Sequence, residues 1–286
     1  MSFNRSSAFP QIPQNASARE TARRLIGLPV PPKFDIAHLR PEHLPPGERF
    51  ETPADGRARR DAEQERLERS LELTEVADRL LGCSAESPCA EVTCPTCARR
   101  FRRWLTGQAL RHQSTLDLQM LTVGLELVPT KRLANFDLRL LKRRAAQRVR
   151  RAAPSAQFIL GGIEADYRQN VDAFLLHAHL LVPRLPRDEL IALRSAFADI
   201  GVTRALKLQP LRDPPAQISY VLKFTTYHRP GSQKGSRRPN AVPLPDYAFE
   251  QLTLWRARYG FLDFVFMLGL RRRGGDLVRT DNKKTE

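Results

Sequence analysis

The chain has 286 residues, 41% of them hydrophobic, and a formal net charge of +16. That length fills one substantial domain with extensions, or two small domains. A surplus of this size has to sit at the surface and attract polyanions, nucleic acid first among them. No run of ~18 apolar residues offers a membrane span. The N-terminal MSFNRSSAFPQIPQNASARE lacks the apolar centre of a secretory leader. The expectation is a cytoplasmic protein with no membrane partner. Its four cysteines then stay reduced and read better as metal ligands than as disulfides.

Residues 1–60 are rich in Pro, Arg, Ser and Glu, without sustained periodicity, and read as a disordered N-terminal extension. A charged helix is predicted from about Asp61 to Leu81, with an imperfect apolar stripe of Leu67, Leu71, Leu73, Val76 and Leu80. It leads into CSAESPCAEVTCPTC, where Cys83, Cys89, Cys94 and Cys97 are spaced C-x5-C-x4-C-x2-C. The CPTC knuckle is a half-site for Zn²⁺, whose structural sites are four-coordinate with thiolate or imidazole ligands. A structural Cys₄ zinc site is the expectation, with His112 as a substitute ligand and four reduced, partly buried thiols as the alternative. The helix and this segment form a unit over 61–112 that braces the following helix.

Residues 113–227 alternate between the two periods. Strands are predicted at 116–128, 156–167, 172–183 and 202–211, and helices at 135–153, 187–201 and 214–227. The helix over 135–153 places Leu138, Leu141, Ala145 and Val149 on one side and arginines on the other. Strands two and three are joined by only a few residues and can pair only as an antiparallel hairpin. The fold class is therefore α+β, a largely antiparallel sheet with flanking helices. A basic Gly/Pro/Ser-rich loop (228–246), an apolar helical segment packing on the domain (247–274) and a disordered tail (275–286) complete the chain.

The sharpest chemical signal is LLHAHLLV. Residues two apart on a strand share a face, so His177 and His179 project together, ~7 Å apart along the strand. Two polar histidines inside an aliphatic strand are costly without a partner. A shared divalent ion is one such partner, and structural hydrogen bonds are the other. Glu164, in GGIEADY of the preceding strand, comes near the pair across a turn at 168–170 and supplies a third ligand. Two nitrogens and a carboxylate leave positions open for water and a phosphate oxygen, which suits Mg²⁺ or Mn²⁺; imidazoles also accept Zn²⁺. Further on, ISYVLKF places Tyr220 and Lys223 one turn apart on a helix. A phenol of pKa ~10 is a poor nucleophile at neutral pH. A neighbouring metal or ammonium, here Lys223, favours the phenolate or stabilises the phosphate it attacks.

In this order, a strand carrying Thr122 in LQMLTVGLEL, His177-Ala178-His179 and a Tyr220–Lys223 YxxK about forty residues later resemble the HUH endonuclease superfamily. More narrowly, they resemble the single-tyrosine initiators of rolling-circle plasmid replication and related transposases. CPTCARRFRRW also looks like the cysteine and arginine run that precedes the first motif in similar initiators. The resemblance covers about residues 83–227. It implies a five-stranded antiparallel sheet with flanking helices and a transesterification in which Tyr220 attacks a DNA phosphate. The products are a 5′-phosphotyrosine link and a free 3′-hydroxyl.

The chain departs from the pattern at three points. Ala178 is smaller than the usual aliphatic, and Phe224 stands where a second tyrosine occurs in two-tyrosine relatives. Tyr227 ranks well below Tyr220 as a nucleophile. Ala216 and Gln217 occupy the stretch where some relatives carry a glutamate, leaving Asp213 as the nearest carboxylate. Single-stranded origin DNA is the implied partner. No GxxxxGK[ST] loop is present, so a host helicase and polymerase are implied as well. DNA contacts are expected from Arg99, Arg100, Arg102 and Arg103 beside Trp104, from Arg143 and Arg144 within the basic helix, and from Lys234, Arg237 and Arg238 in the late loop. Two competing readings remain at this point: a non-catalytic zinc-containing nucleic-acid-binding regulator, and a metal-dependent hydrolase without a covalent step.

Overall fold

The computed structural model describes residues 52–84, 86–113, 116–198, 206–223 and 243–280. Helix α1, Pro53–Glu68, starts earlier than predicted because Thr52 and Asp55 form a capping box. The Asp55 amide donates to Thr52 Oγ1 (3.1 Å) and the Thr52 amide to Asp55 Oδ2 (2.9 Å), with Pro53 in the first turn. The single helix expected over 61–81 is two. Helix α1 ends at Glu68, a 3₁₀ turn covers Leu71–Leu73, and α2 runs Thr74–Leu81. This break explains the imperfect stripe: Leu67, Leu73, Val76 and Leu80 are buried on two helix axes, while Leu71 faces solvent in the joint. The cysteine segment follows and leads into α3, Pro95–Gln113.

The core sheet comprises β1 (Leu118–Pro129), β2 (Ile159–Arg168), β3 (Ala173–Pro183), β4 (Leu206–Pro210) and β5 (Val265–Leu268). Its order is β4-β1-β3-β2-β5, and every neighbouring pair is antiparallel. The expected β2–β3 hairpin forms through the turn at Gln169–Val171, with Asp172 in the left-handed region at φ 44°. Between β1 and β2 lies α4, Leu138–Ala152, capped by the Asp137 carboxylate and burying Leu138, Leu141, Ala145 and Val149 as its period requires. It packs on β1 and on α5, Arg187–Ala196. Helix α6, Pro214–Val221, packs on β3 and on α3, and α7 spans Asp246–Ala257. Strand β3 is the middle of the five and is buried on both faces from Ala173 to Val182.

The C-terminal third departs from expectation. The segment expected to be helical over 247–274 is α-helical only to Ala257, with a 3₁₀ turn at Phe261–Phe264; Val265–Leu268 is β5, paired with β2 from Gly162 to Ile159. Its residues lie between Gly260 and Gly269, too short a run for a packed helix and well suited to a buried strand. Gly269 has φ +67°, and a Cβ there would lie 1.7 Å from the Gln157 carbonyl oxygen, so the exit from β5 requires glycine. The domain expected to close at residue 227 therefore takes its fifth strand from beyond that point.

The tail expected to be disordered from residue 275 instead forms β7, Asp276–Arg279, paired with β6, Leu270–Arg273. It is held by an Arg111–Asp276 ion pair at 2.7 Å and by the Trp104 indole donating to the Gly275 carbonyl at 2.9 Å. The disorder expected at 1–51 and 281–286 and most of the basic loop, including Lys234, Arg237 and Arg238, lie outside the described residues, as do Phe224 and Tyr227. Among the described residues, no helix is long and apolar enough to cross a membrane.

Candidate metal centre

Sheet register brings the predicted ligands together. Glu164 of β2 stands directly across from His177 of β3, and Thr122 of β1 directly across from His179. The close pairing of β2 and β3 depends on Gly161, where a Cβ would lie 2.0 Å from the His179 carbonyl oxygen. A register shift between Gly124 and Glu126 inserts an extra residue in β1 beside His177.

The two imidazoles turn their Nε2 atoms toward each other, 3.2 Å apart, closer than the strand rise alone places their backbones. Their Nδ1 atoms are engaged behind, His179 with Thr122 Oγ1 at 2.9 Å and His177 with the Leu175 carbonyl at 3.4 Å. Such bonds fix ring orientation and leave Nε2 to face a ligand. Glu164 Oε2 lies 3.7 Å from each Nε2. The point equidistant from these three atoms is about 2.1 Å from each, inside the ~2.0–2.2 Å range for Zn²⁺, with Mg²⁺ close by. The carboxylate is 2% exposed, and neither of its oxygens accepts a hydrogen bond from a described residue. A buried carboxylate left in this state is costly unless a cation or a proton joins it.

The electrostatics follow from that burial. Desolvation pushes the Glu164 carboxyl up to about 8; Lys223 opposes the rise and Asp166 adds to it. Burial also holds His177 below the ordinary imidazole range, so its ring is neutral and available as a ligand near pH 7.

Lys223 Nζ is 3.6 Å from Glu164 Oε2 and 4.0 Å from the centre of the Tyr220 ring. The helix expected over 214–227 ends at Val221. Lys223 thus follows the cap rather than continuing the helix, and a Lys223 N–H to Tyr220 C=O bond of 3.4 Å keeps the two residues together. Tyr220 is 43% exposed, with its ring centroid 5.4 Å from that of His179. All five residues line one cleft of about 640 Å³.

Three residues were not singled out from sequence. Asp166 and Lys207 line the same cleft, Lys207 directly across from Thr122. The period of two from Glu164 carried the signal for Asp166; only the pairing of β4 with β1 reveals Lys207. Ser219, next to Tyr220, accepts a hydrogen bond from Arg102 Nε at 3.1 Å, which ties α6 to α3. The four arginines expected to act as one cluster are therefore divided. Arg102 turns toward α6, while Arg99, Arg100 and Arg103 line a separate cleft beside Cys83 and Cys97. Arg143 and Arg144 are exposed on α4 and line neither cleft.

The cysteines form a second centre. Cys83–Cys97, Cys94–Cys83 and Cys89–Cys97 sulfur distances are 3.5, 3.6 and 3.7 Å, and all four cysteines are free thiols. A tetrahedron whose centre lies ~2.3 Å from each sulfur, the zinc–thiolate bond length, has edges of about 3.8 Å. Hydrogen bonds from the other three hold the Cys83 thiol far down, and the same sharing pushes Cys89 and Cys97 up. A cation at the centre removes that competition. His112 is not a substitute ligand: its Nε2 bonds the Leu277 carbonyl at 3.1 Å. No family model, curated protein or solved structure matches this chain.

Proposed function

We propose that the protein nicks single-stranded DNA by metal-dependent transesterification, with Tyr220 as the nucleophile, in the manner of HUH-type rolling-circle replication initiators. One observation carries the reading: a buried Glu164 carboxylate, 3.6 Å from Lys223, and two oriented imidazoles converge on one point, with a half-exposed tyrosine lining the same cleft. A five-stranded antiparallel sheet with flanking helices is the architecture the resemblance implies. The +16 charge suits a DNA substrate.

In this mechanism, His177, His179 and Glu164 hold Mg²⁺ or Mn²⁺; two imidazoles favour manganese of the two. A bound ion would supply Lewis acidity toward the scissile phosphate. Tyr220 Oη forms the new bond to phosphorus as the phosphorus–O3′ bond breaks. The phenol proton passes to water in the open cleft, and the departing 3′-oxygen takes a proton from water. The enzyme is left with a 5′-phosphotyrosine and the DNA with a free 3′-hydroxyl. Lys223 stabilises charge on the phenolate and phosphate, and Thr122 orients His179. The Cys₄ centre is assigned to structural Zn²⁺: it is all-thiolate, closed and outside the cleft. Origin DNA is the partner, with a host helicase and polymerase acting after the nick.

The test is a covalent-adduct assay. The protein is incubated with Mn²⁺ and a pool of single strands from its own replicon, then run on a denaturing gel beside Tyr220→Phe. A retarded band in the parent alone supports the reading. A band that survives the substitution moves the nucleophile, with Tyr227 next. No band, with DNA binding retained, favours a non-catalytic regulator.

A further inference from the structure

Between Gly269 and Thr280 the chain forms a two-stranded ribbon, β6 and β7. Its turn is Gly274–Gly275: Arg273 pairs with Asp276 across it, and Gly274 has φ +60°. The Thr280 amide donates to the Gly269 carbonyl at 3.0 Å and closes the base. A two-stranded hairpin alone is marginally stable in water. Here α3 supports it. Gln108, Arg111 and His112 follow Trp104 by four, seven and eight residues, so the four side chains share one face of α3. Each of them bonds the turn or β7. The Trp104 indole donates to the Gly275 carbonyl at 2.9 Å. The Gln108 amide donates to Asp276 Oδ1 at 3.3 Å and accepts from the Leu277 amide at 2.9 Å. Arg111 pairs with Asp276 at 2.7 Å, and His112 Nε2 bonds the Leu277 carbonyl at 3.1 Å. Leu277 itself is buried in the core.

This support sorts the charges. Residues 270–279 hold four arginines and one acid. The acid, Asp276, is engaged by Arg111 and Gln108 of α3. Arg271, Arg273 and Arg279 are exposed and form no ion pair with a described residue. Arg272 is exposed too, with its Nε donating to the Gly274 carbonyl at 2.9 Å. Arg272 stands across from Leu277, so Arg271 and Arg273 project from the opposite, outward face of β6.

A rigid cationic ribbon fits one polyanion best. The major groove of a DNA duplex, about 12 Å wide, admits a two-stranded ribbon, and guanidiniums match both phosphates and guanine edges. Single-strand binders stack bases on aromatic side chains, and residues 270–279 include none. Membrane-surface elements bury apolar side chains, and the ribbon exposes no large one. The ribbon also leaves the sheet beside Ile159, five residues or roughly 17 Å along β2 from Glu164. It is therefore placed outside the nicking cleft.

We infer that the β6–β7 ribbon is a docking arm for double-stranded DNA, separate from the His177/His179 centre. That this duplex flanks the nick rests on the proposed function; the duplex chemistry does not.

The experiment uses full-length protein carrying Tyr220→Phe, without added Mn²⁺. Anisotropy across a salt series follows a fluorescent mixed-sequence duplex and, separately, an oligothymidylate. The variant Arg271→Gln/Arg273→Gln/Arg279→Gln is compared with Arg184→Gln/Arg187→Gln/Arg194→Gln, exposed positions on and just before α5 that remove the same charge. Thermal melts confirm that each variant is folded. The ribbon variant is expected to bind the duplex at least tenfold more weakly and to lose about two to three units of salt slope, from ~0.9 per phosphate contact on duplex DNA. Its oligothymidylate affinity, and the control's affinity for both probes, should change less than about threefold. Equal duplex losses in the two variants would reduce the effect to net charge and overturn the arm. Equal losses on both probes in the ribbon variant would make it a single-strand contact and overturn the duplex assignment. Loss of binding to phosphatidylserine vesicles, with duplex binding intact, would move the surface to a membrane and overturn it too. Duplex loss confined to the ribbon variant, alongside a failed adduct assay, would keep the arm and remove the nicking reading.

Discussion

The sulfurs of Cys83, Cys89, Cys94 and Cys97 close a tetrahedron, whereas Glu164, His177 and His179 form three corners of a site whose remaining side faces a cleft. The first set comes from a loop and a helix start, held besides by the Arg79–Glu91 ion pair at 2.9 Å and by Arg60 donating to the Cys83 carbonyl at 2.8 Å. The second comes from paired strands whose register is already fixed by the sheet. A metal in the first site makes structure; a metal in the second uses structure that exists without it. Ligand softness and the open coordination position separate the two roles.

The largest expected effects test that division. Cys97→Ser should lose the tightly bound metal and unfold the α1–α3 region, costing about 3 kcal/mol or more, since structural zinc contributes directly to folding. At roughly 2–4 °C per kcal/mol for a protein near this size, the melting midpoint should fall by about 10 °C. His179→Ala should leave the midpoint within about 2 °C and instead reduce covalent-adduct formation by ~100-fold or more, as expected when a Lewis-acid ligand is lost. A calorimeter and a denaturing gel read the two effects. If His179→Ala melted far below Cys97→Ser, the assignment of structural and catalytic roles would be reversed.

The comparison also explains what sequence could reveal. The ligand sets were legible because each is written in local spacing: CPTC, and His177 and His179 on a strand of period two. Burial of Leu138, Leu141, Ala145 and Val149 was legible for the same reason. Other features depend on partners distant in the chain. The glycines that bound β5 are local, but its place beside β2 is not. Lys207 enters the cleft only through the pairing of β4 with β1. The arginine run after Cys97 reads as one patch, but the helix period sends Arg102 to Ser219 and the others to the cleft beside Cys83 and Cys97.

A smaller effect distinguishes the two centres by pH. Burial raises Glu164 to about 8 in the metal-free protein, so below that pH an entering ion must displace a proton. Mn²⁺ affinity should therefore rise roughly tenfold per pH unit from pH 6 to 8 and flatten above it. His177 adds no competing proton near neutrality because its own value is depressed. The stability of the Mn²⁺-free protein should run the opposite way. A carboxyl raised on folding contributes its full stability below the unfolded value of 4.5, and that contribution is lost as pH rises through about 8. Isothermal titration of Mn²⁺ and thermal melts without added Mn²⁺, from pH 6 to 9, check both signs. In Glu164→Gln, which mimics the protonated side chain, this carboxyl's share of both slopes should vanish.

The mildest expected change probes how the sheet prepares the open site. Thr122 touches no ion; its hydroxyl holds His179 Nδ1 at 2.9 Å from the adjacent strand. Thr122→Val preserves the shape and β-branching that suit a buried strand, and removes only that bond. His179 can then rotate, so Mn²⁺ affinity should fall ~10-fold, at the low end of what outer hydrogen bonds to metal ligands contribute. At saturating Mn²⁺ most of the adduct yield should return, because the ring still reaches the ion once bound. Excess metal should not rescue His179→Ala in the same way. A Thr122→Val protein with unchanged Mn²⁺ affinity would mean that β3 alone orients the imidazole. One that excess Mn²⁺ cannot rescue would place the Thr122 hydroxyl against the DNA rather than behind the histidine.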